Sequence, residues 1–388
     1  MSSEIQKSIT ENHHSRRRVL IFTAALGGGH EAAGRAVRDE LEGAGWEAEI
    51  IDGLRTLSPA LDRLLVEAYA TQARNSQESL GWTYALTARR TGASSVAFLV
   101  SFLFASRLLK VIQREQPDLV ISTYPLVNSA LGYLRSHDRL KVPAVAVIAD
   151  YGAHPLWIAP GLDLHLVVSS RSAEFVERAG ASSALVRMPA TASFGNAPPR
   201  EKARATLRLP EEAFVALIVG GELGMGNLEE ATRCAAEAGA FAIVVTGKNG
   251  KLKAQLEAKF ASERGVRVLG WRNDMPTLMS AADCLIQNAG GMTCIEAITV
   301  GLPILIFNPV PGHGELNANV MERSGTARWA RTATDLKALL RSAAQREILL
   351  ATPNVEPDAL AVRDILESLV SGSPLTPEVR GQPLPAHT

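Results

Sequence analysis

Three glycines and a histidine, Gly27-Gly28-Gly29-His30, follow the apolar run Val19 to Thr23 and open the stretch EAAGRAVRDELEGAG, whose pattern predicts a helix. A helix start lowers the pKa of a histidine and favours the neutral imidazole. His30 is therefore a candidate proton acceptor as well as a plain solvated helix-start residue. Gly28 and Gly29 let backbone N–H groups approach a ligand closely. A second cluster, Asp150-Tyr151-Gly152-Ala153-His154-Pro155-Leu156-Trp157, follows a strongly apolar strand. It sets Asp150, His154 and Trp157 on one loop at a strand's carboxyl end, where parallel sheets gather their catalytic groups.

The second half carries turns of another kind. Gly220-Gly221-Glu222-Leu223-Gly224-Met225-Gly226 lies between an apolar run and the helical stretch NLEEATRCAAEAG, a setting in which backbone donors and a positive helix end cradle phosphate. Asn288-Ala289-Gly290-Gly291-Met292-Thr293-Cys294-Ile295-Glu296-Ala297 repeats the arrangement, and two such turns in one domain suit a nucleoside diphosphate. Glu296, in the first turn of its helix, either accepts two ribose hydroxyls or only compensates the helix dipole. The run Asn308 to Asn319, NPVPGHGELNAN, offers polar groups for sugar hydroxyls. Neither GxGxxG nor GxxxxGK[ST] occurs, and no DxD pair is present to clamp a metal on a diphosphate, so charge neutralisation falls to helix ends.

Such turns need a scaffold that ends strands and starts helices along one edge. Short apolar runs alternating with amphipathic stretches predict parallel βαβ units, in two series. Strands are expected at 19–23, 47–51, 119–123, 143–149 and 164–168, then at 214–219, 241–246, 266–269, 284–287 and 303–307. The segment Pro189 to Arg200, rich in Pro, Gly, Ala and Ser, reads as a linker with the boundary near residue 195. The expected plan is a disordered 1–17, a first domain 18–195 with a helical insertion 58–116, a second domain 196–349, a return helix in 350–372 and a disordered Pro-rich tail 373–388. The insertion contains SSVAFLVSFLFAS, with Phe98, Phe102 and Phe104, flanked by Arg89, Arg90, Arg107 and Lys110. That run is too short to span a bilayer. It reads either as a buried helix or as a lipid-facing one whose basic flanks meet anionic headgroups.

The 388 residues are 46% hydrophobic, enough for two cores. Forty Lys and Arg balance forty Asp and Glu, so no global charge calls for nucleic acid. Cys234, Cys284 and Cys294 lack CxxC spacing, which argues against a disulfide framework or structural zinc and for a cytosolic chain.

In their order, GGGH, DYGAHPLW, GGELGMG, VTGKNGKLKAQL, GWRNDMPTLMSAADCLIQNAGGMTCIEA and GLPILIFNPVPGHGELNAN resemble the monogalactosyldiacylglycerol synthase and processive diacylglycerol glucosyltransferase family, relatives of the transferase that adds N-acetylglucosamine to the peptidoglycan lipid precursor. The resemblance runs from about residue 18 to 345. It implies an α/β GT-B fold: two Rossmann-like domains facing a cleft, with a C-terminal helix returning to the first. It also implies inverting, metal-independent transfer of a hexose from a UDP-sugar to a lipid such as diacylglycerol. No cofactor is needed, and the enzyme would sit peripherally on an anionic membrane surface at the inner face of the cell membrane.

By the same resemblance Gly220, Gly221, Gly224, Gly226, Gly290, Gly291 and Thr293 would cradle the diphosphate, with Glu222 and Met225 among the donor-binding residues. Glu296 would take the ribose, and Glu315 and Asn319 would face the donor sugar. His30 is the first candidate base, with Asp150 or His154 next, and the acceptor would lie against Gly28, Gly29, Trp157 and the helix bearing Phe98, Phe102 and Phe104. Two departures stand out, Ala149-Asp150 where the family often has Thr-Asp and Gln287-Asn288 where it often has Thr-Lys. The alternatives are an isomerase resembling UDP-N-acetylglucosamine 2-epimerase and a degenerate GT-B protein that binds nucleotide or lipid without turnover.

Overall fold

The computed structural model describes residues 16–26, 28–75, 79, 81–82, 84–85, 93–348, 350, 353–373 and 379–380. Strands β1 (Arg18–Thr23), β2 (Glu47–Asp52), β3 (Leu119–Ser122), β4 (Ala144–Ile148), β5 (Leu164–Val167) and β6 (Ser183–Arg187) form a parallel sheet in the order β2-β1-β3-β4-β5-β6. A second parallel sheet holds β7 (Val215–Val219), β8 (Phe241–Val245), β9 (Val266–Leu269), β10 (Cys284–Gln287), β11 (Ile304–Phe307) and β12 (Arg328–Ala330), ordered β9-β8-β7-β10-β11-β12. Val19, Leu20, Ile21 and Phe22 are fully buried, as are Val215, Ala216 and Leu217. Helices cover both faces of each sheet, which is why the central strands read as unbroken apolar runs, whereas the edge strands β2 (EAEIID) and β9 (VRVL) carry charges.

Chain order reverses between β1 and β3 in the first sheet and between β7 and β10 in the second. At such a point the crossovers depart to opposite sides and leave a crevice beyond the strand carboxyl ends, the usual ligand position of an open α/β sheet. The His30 turn follows β1, and the two glycine turns follow β7 and β10. Two Rossmann-like domains thus face each other through their crevices, and helix Gly29–Gly43 of the first packs on helix Gly291–Thr299 of the second.

Strands β6 and β12 lie outside the expected set. SALVR and RWA are short, end in or begin with exposed arginine, and lack an apolar run. After the second domain the chain crosses back. Strand β13 (Leu360–Ala361) pairs with β6, and the last helix follows it at Val362–Ser371, inside the expected 350–372. Helix Val362–Ser371 packs on helix Gly29–Gly43, where the Arg363 N–H donates to Glu40 at 2.9 Å. Arg17 reaches Glu367 of the same helix at 2.8 Å. In the tail, Val379–Arg380 (β14) pairs antiparallel with β6; residues 1–15, 374–378 and 381–388 lie outside the described residues.

Helix Ala93–Glu115 of the insertion is core over part of its length and exposed at Phe102. Ala105, Leu108 and Ile112, spaced by three and four, are buried against the first sheet's core. Phe102 is 49% exposed and stands edge-on to Tyr133 at 5.2 Å. The side chains of Phe98 and Phe104 lie outside the described residues. Leu64 and Trp82, also in the insertion, are 64% and 74% exposed. No helix among the described residues is long and apolar enough to cross a membrane.

Candidate active site

Helix Gly29–Gly43 starts from Gly28, whose φ of 75° is left-handed and needs glycine. Because β3 lies beside β1, Thr123 meets this helix start. Its hydroxyl donates to the His30 carbonyl at 3.0 Å, and its own carbonyl lies 2.7 Å from His30 Nδ1. A carbonyl can only accept, so Nδ1 carries the proton and Nε2 of the neutral ring is left as an acceptor. Nε2 has no hydrogen-bond partner among the described residues. Tyr124 stands edge-on to the ring at 5.1 Å and Trp157 lies at 5.5 Å. Burial among these groups pushes the His30 pKa below its ordinary value, opposed by the charge of Asp150 and by the Thr123 bond.

The loop after β4 delivers Asp150, whose Oδ1 accepts from Asn317 Nδ2 at 3.1 Å. His154 does not stand as a base in this geometry. Its Nδ1 accepts the Leu156 N–H at 3.2 Å, which caps the turn Pro155–Trp157, so its proton sits on Nε2 and points to the Tyr84 carbonyl, also 3.2 Å away. Both nitrogens are occupied, and burial pushes this pKa down as well. Trp157 is buried rather than presented to an acceptor, and its carbonyl accepts from Asn128 at 3.0 Å. It forms a wall behind His30.

Across the cleft, Gly221, Gly224 and Gly226 take φ of 67°, 66° and 87°, and the loop folds back through a 2.7 Å bond from the Met225 N–H to the Gly220 carbonyl. Met225 and Leu223 pack with Val310 and with Tyr69 from the insertion. Glu222 pairs with Lys248, which lies 5.0 Å over the ring of Trp271. Glu222 Oε2 is also 2.6 Å from where a Cβ on Gly28 would stand, so the cleft is closed at this point.

Gln287 shapes the other turn, accepting the Gly290 N–H and donating to Cys294 Sγ, each at 2.8 Å. Gly291 starts the helix against the Ala149 carbonyl of the first domain, while Thr293 and Glu296 lie half-buried farther along. The Glu296 carboxyl has no hydrogen bond or ion pair among the described residues. Burial pushes its carboxyl up to about 7 against the pull of Arg35 from the facing helix. Asn288 is 8% exposed, and its Nδ2 is buried without a partner next to Gly226.

Glu315 and Asn319 are exposed on helix His313–Arg323 and bond locally. Glu315 accepts the Gly312 N–H at 3.4 Å, and Asn319 donates to the Glu315 carbonyl at 2.9 Å. The side chain of this helix that hydrogen-bonds across the domain contact is Asn317, at 0% exposure. Sequence reasoning did not single it out, although a signal was present. Gly314, Asn317, Ala318 and Met321 form the buried stripe at i, i+3, i+4 and i+7, and a polar residue on such a stripe must find partners inside. Among the described residues no group of three or more His, Cys, Asp or Glu could hold a metal ion.

Residues 30–188 match the family model described as Monogalactosyldiacylglycerol (MGDG) synthase, and residues 199–349 match the one described as Glycosyl transferases group 1. The chain is a glycosyltransferase, and its first half is similar to monogalactosyldiacylglycerol synthases. It is 26% identical over 327 residues to the processive diacylglycerol beta-glucosyltransferase of Bacillus subtilis strain 168, covering 81% of this chain and 83% of that one. It is also 26% identical over 343 residues to monogalactosyldiacylglycerol synthase 1, chloroplastic, of Arabidopsis thaliana, covering 84% of this chain and 64% of that one. The crystal structure of Acinetobacter baumannii MurG shares its GT-B fold with a TM-score of 0.58 at 16% identity, covering 92% of this chain and 99% of that one.

In this glycosyltransferase one crevice presents a proton acceptor held in a single tautomer. The facing crevice presents backbone donors, a free amide and an unpaired carboxyl.

Proposed function

We propose that this glycosyltransferase moves a hexose from a UDP-sugar to a lipid hydroxyl of the diacylglycerol class, with inversion and without metal or cofactor. The observation that carries the reading is His30, its Nδ1 held by the Thr123 carbonyl and its Nε2 left to accept a proton. As the acceptor oxygen bonds to the anomeric carbon, its proton passes to Nε2. The bond from that carbon to the UDP oxygen breaks on the opposite face, and UDP leaves with the electron pair. Backbone N–H groups of Gly220 to Gly226 and the start of helix Gly291–Thr299 meet the charge that develops on the diphosphate. The unpaired carboxyl of Glu296 suits the two ribose hydroxyls, and the free Asn288 amide gives the diphosphate an uncharged donor.

The names of the relatives support diacylglycerol as the acceptor. The exposed Leu64, Trp82 and Phe102 support peripheral attachment, with the insertion turned to an anionic membrane surface on the inner face of the cell membrane. The test is release of UDP from UDP-galactose, UDP-glucose and UDP-N-acetylglucosamine, each with and without diacylglycerol in mixed micelles, with products identified by mass. Lipid-dependent release with a glycosylated lipid is expected. Release that ignores lipid, or interconversion of the sugars with no glycolipid, overturns the reading.

A further inference from the structure

The turn Asp150 to Gly152 of the first domain is inserted between the β10 turn and helix His313–Arg323 of the second. Asn317 ties these pieces together with three side-chain hydrogen bonds that use both of its amide protons. Its Oδ1 accepts the Gly152 N–H at 2.8 Å, and its two Nδ2 protons go to Asp150 Oδ1 at 3.1 Å and to the Ala289 carbonyl at 2.9 Å. Two of these bonds cross the domain boundary, and the third reaches a residue held at a φ of 67° that a non-glycine rarely adopts. The contact has no spare room. A Cβ on Gly152 would stand 2.3 Å from Leu316 Cγ and 2.8 Å from Leu316 Cδ2.

We propose that Asn317 is a positioning residue that latches the two domains and fixes the Asp150 carboxylate beside His30 only when the cleft is shut. With the cleft open, the Gly152 N–H and Asp150 Oδ1 turn to water and the carboxylate rotates freely. With it shut, Asp150 is held by Oδ1, and its charge acts on His30, His154, Cys294, Tyr69 and Tyr84, while His313 opposes it at both histidines. Closure and the fixing of the Asp150 charge become one event, which keeps that charge from being set while water has access to the donor. The inference rests on the reading of His30 as the base.

The test uses the full chain carrying Gly152→Ala, Leu316→Ala, both together, or Asn317→Asp. Gly152→Ala should lower kcat at least tenfold with the donor KM changed by less than threefold, and should raise the radius of gyration in X-ray scattering with UDP bound. Adding Leu316→Ala removes the two closest atoms, so the double variant should return to within threefold of Leu316→Ala alone. Asn317→Asp keeps the shape and the acceptor for Gly152 but sets a second carboxylate against Asp150. Its kcat should fall at least tenfold at pH 8 relative to the unmodified chain and recover part of that loss at pH 6, where a shared proton restores the missing donor.

A Gly152→Ala enzyme with unchanged kcat and unchanged radius overturns the latch, as does a double variant that is not rescued. Should Gly152→Ala fail to fold by thermal unfolding, Asn317→Asp decides alone, and a pH profile superimposable on that of the unmodified chain sinks the proposal. If the unmodified chain transfers no sugar to lipid, the acceptor reading falls, and the scattering comparison still decides the latch.

Discussion

On the first-domain face of the cleft the groups around the base are held before any substrate arrives: Thr123 holds His30 at both its carbonyl and its Nδ1, His154 closes its own turn, and Asn128 donates through Nδ2 to the Trp157 carbonyl, its Oδ1 alone lacking a partner among the described residues. On the second-domain face Glu296 and the Asn288 amide are partly or wholly buried with no partner among the described residues. An unmade hydrogen bond of this kind costs about 1–3 kcal/mol. Groups left so in a folded protein mark places that something else completes. The first face is therefore preorganised around the His30 Nε2, and under the proposed function the second is finished by its donor.

The sharpest way to break that division is His30→Ala. Turnover should fall ~10²–10⁴-fold, the usual worth of a positioned base, while donor affinity measured by calorimetry with UDP stays within threefold. An equal loss in donor affinity would show that the two faces are not separable. The unmodified enzyme should carry the same signature in its pH profile. The neutral ring is the active form and burial lowers its pKa, so the acid limb of kcat should lie below pH 6.5, the ordinary value. An acid limb above that value would assign the step to another group.

Next in size is Glu296→Ala. Donor affinity should fall about 10- to 100-fold, as expected on losing a charged acceptor of two hydroxyls, and kcat at saturating donor should change little. Unchanged donor affinity removes the ribose assignment. Glu296→Gln sharpens the same point through stability. The folded carboxyl titrates at about 7, above its ordinary 4.5, so the folded state holds an extra proton between these values. Stability is then lost as pH rises from 4.5 to 7, and the amide removes that loss. The variant should be more stable than the parent by about 2 kcal/mol at pH 8 and equal to it at pH 4, a figure discounted from the full shift for partial exposure. Chemical denaturation at the two pH values measures the difference, and a gain of the same size at both would trace it to packing.

Ten expected strands correspond to elements of the two sheets because a strand covered on both faces must be apolar along its length. The same logic missed β6, β12 and β13, whose few residues are partly exposed and carry little pattern. At the site, the glycine turns and His30 were readable because a strand-to-helix turn announces itself locally. The occupied nitrogens of His154 and the role of Asn317 were not. One depends on a carbonyl 70 residues away and the other on a turn 165 residues away. Sequence shows which groups exist on each face, whereas partnership across the fold decides which of them are free.

The smallest effect is expected where the acceptor face meets its surroundings, at Phe102. Its helix is core at Ala105, Leu108 and Ile112, one and more turns farther on, so the segment divides along its length rather than being wholly buried or wholly exposed. Phe102→Ala removes a half-exposed ring whose one described aromatic contact is edge-on to Tyr133. If that ring enters a lipid surface, partition onto vesicles containing phosphatidylglycerol should drop about fivefold, equivalent to ~1 kcal/mol of apolar transfer, with Tm unchanged. A fall in Tm with partition unchanged would instead extend the core through this turn, and the membrane-facing surface would then have to be carried by Leu64 and Trp82.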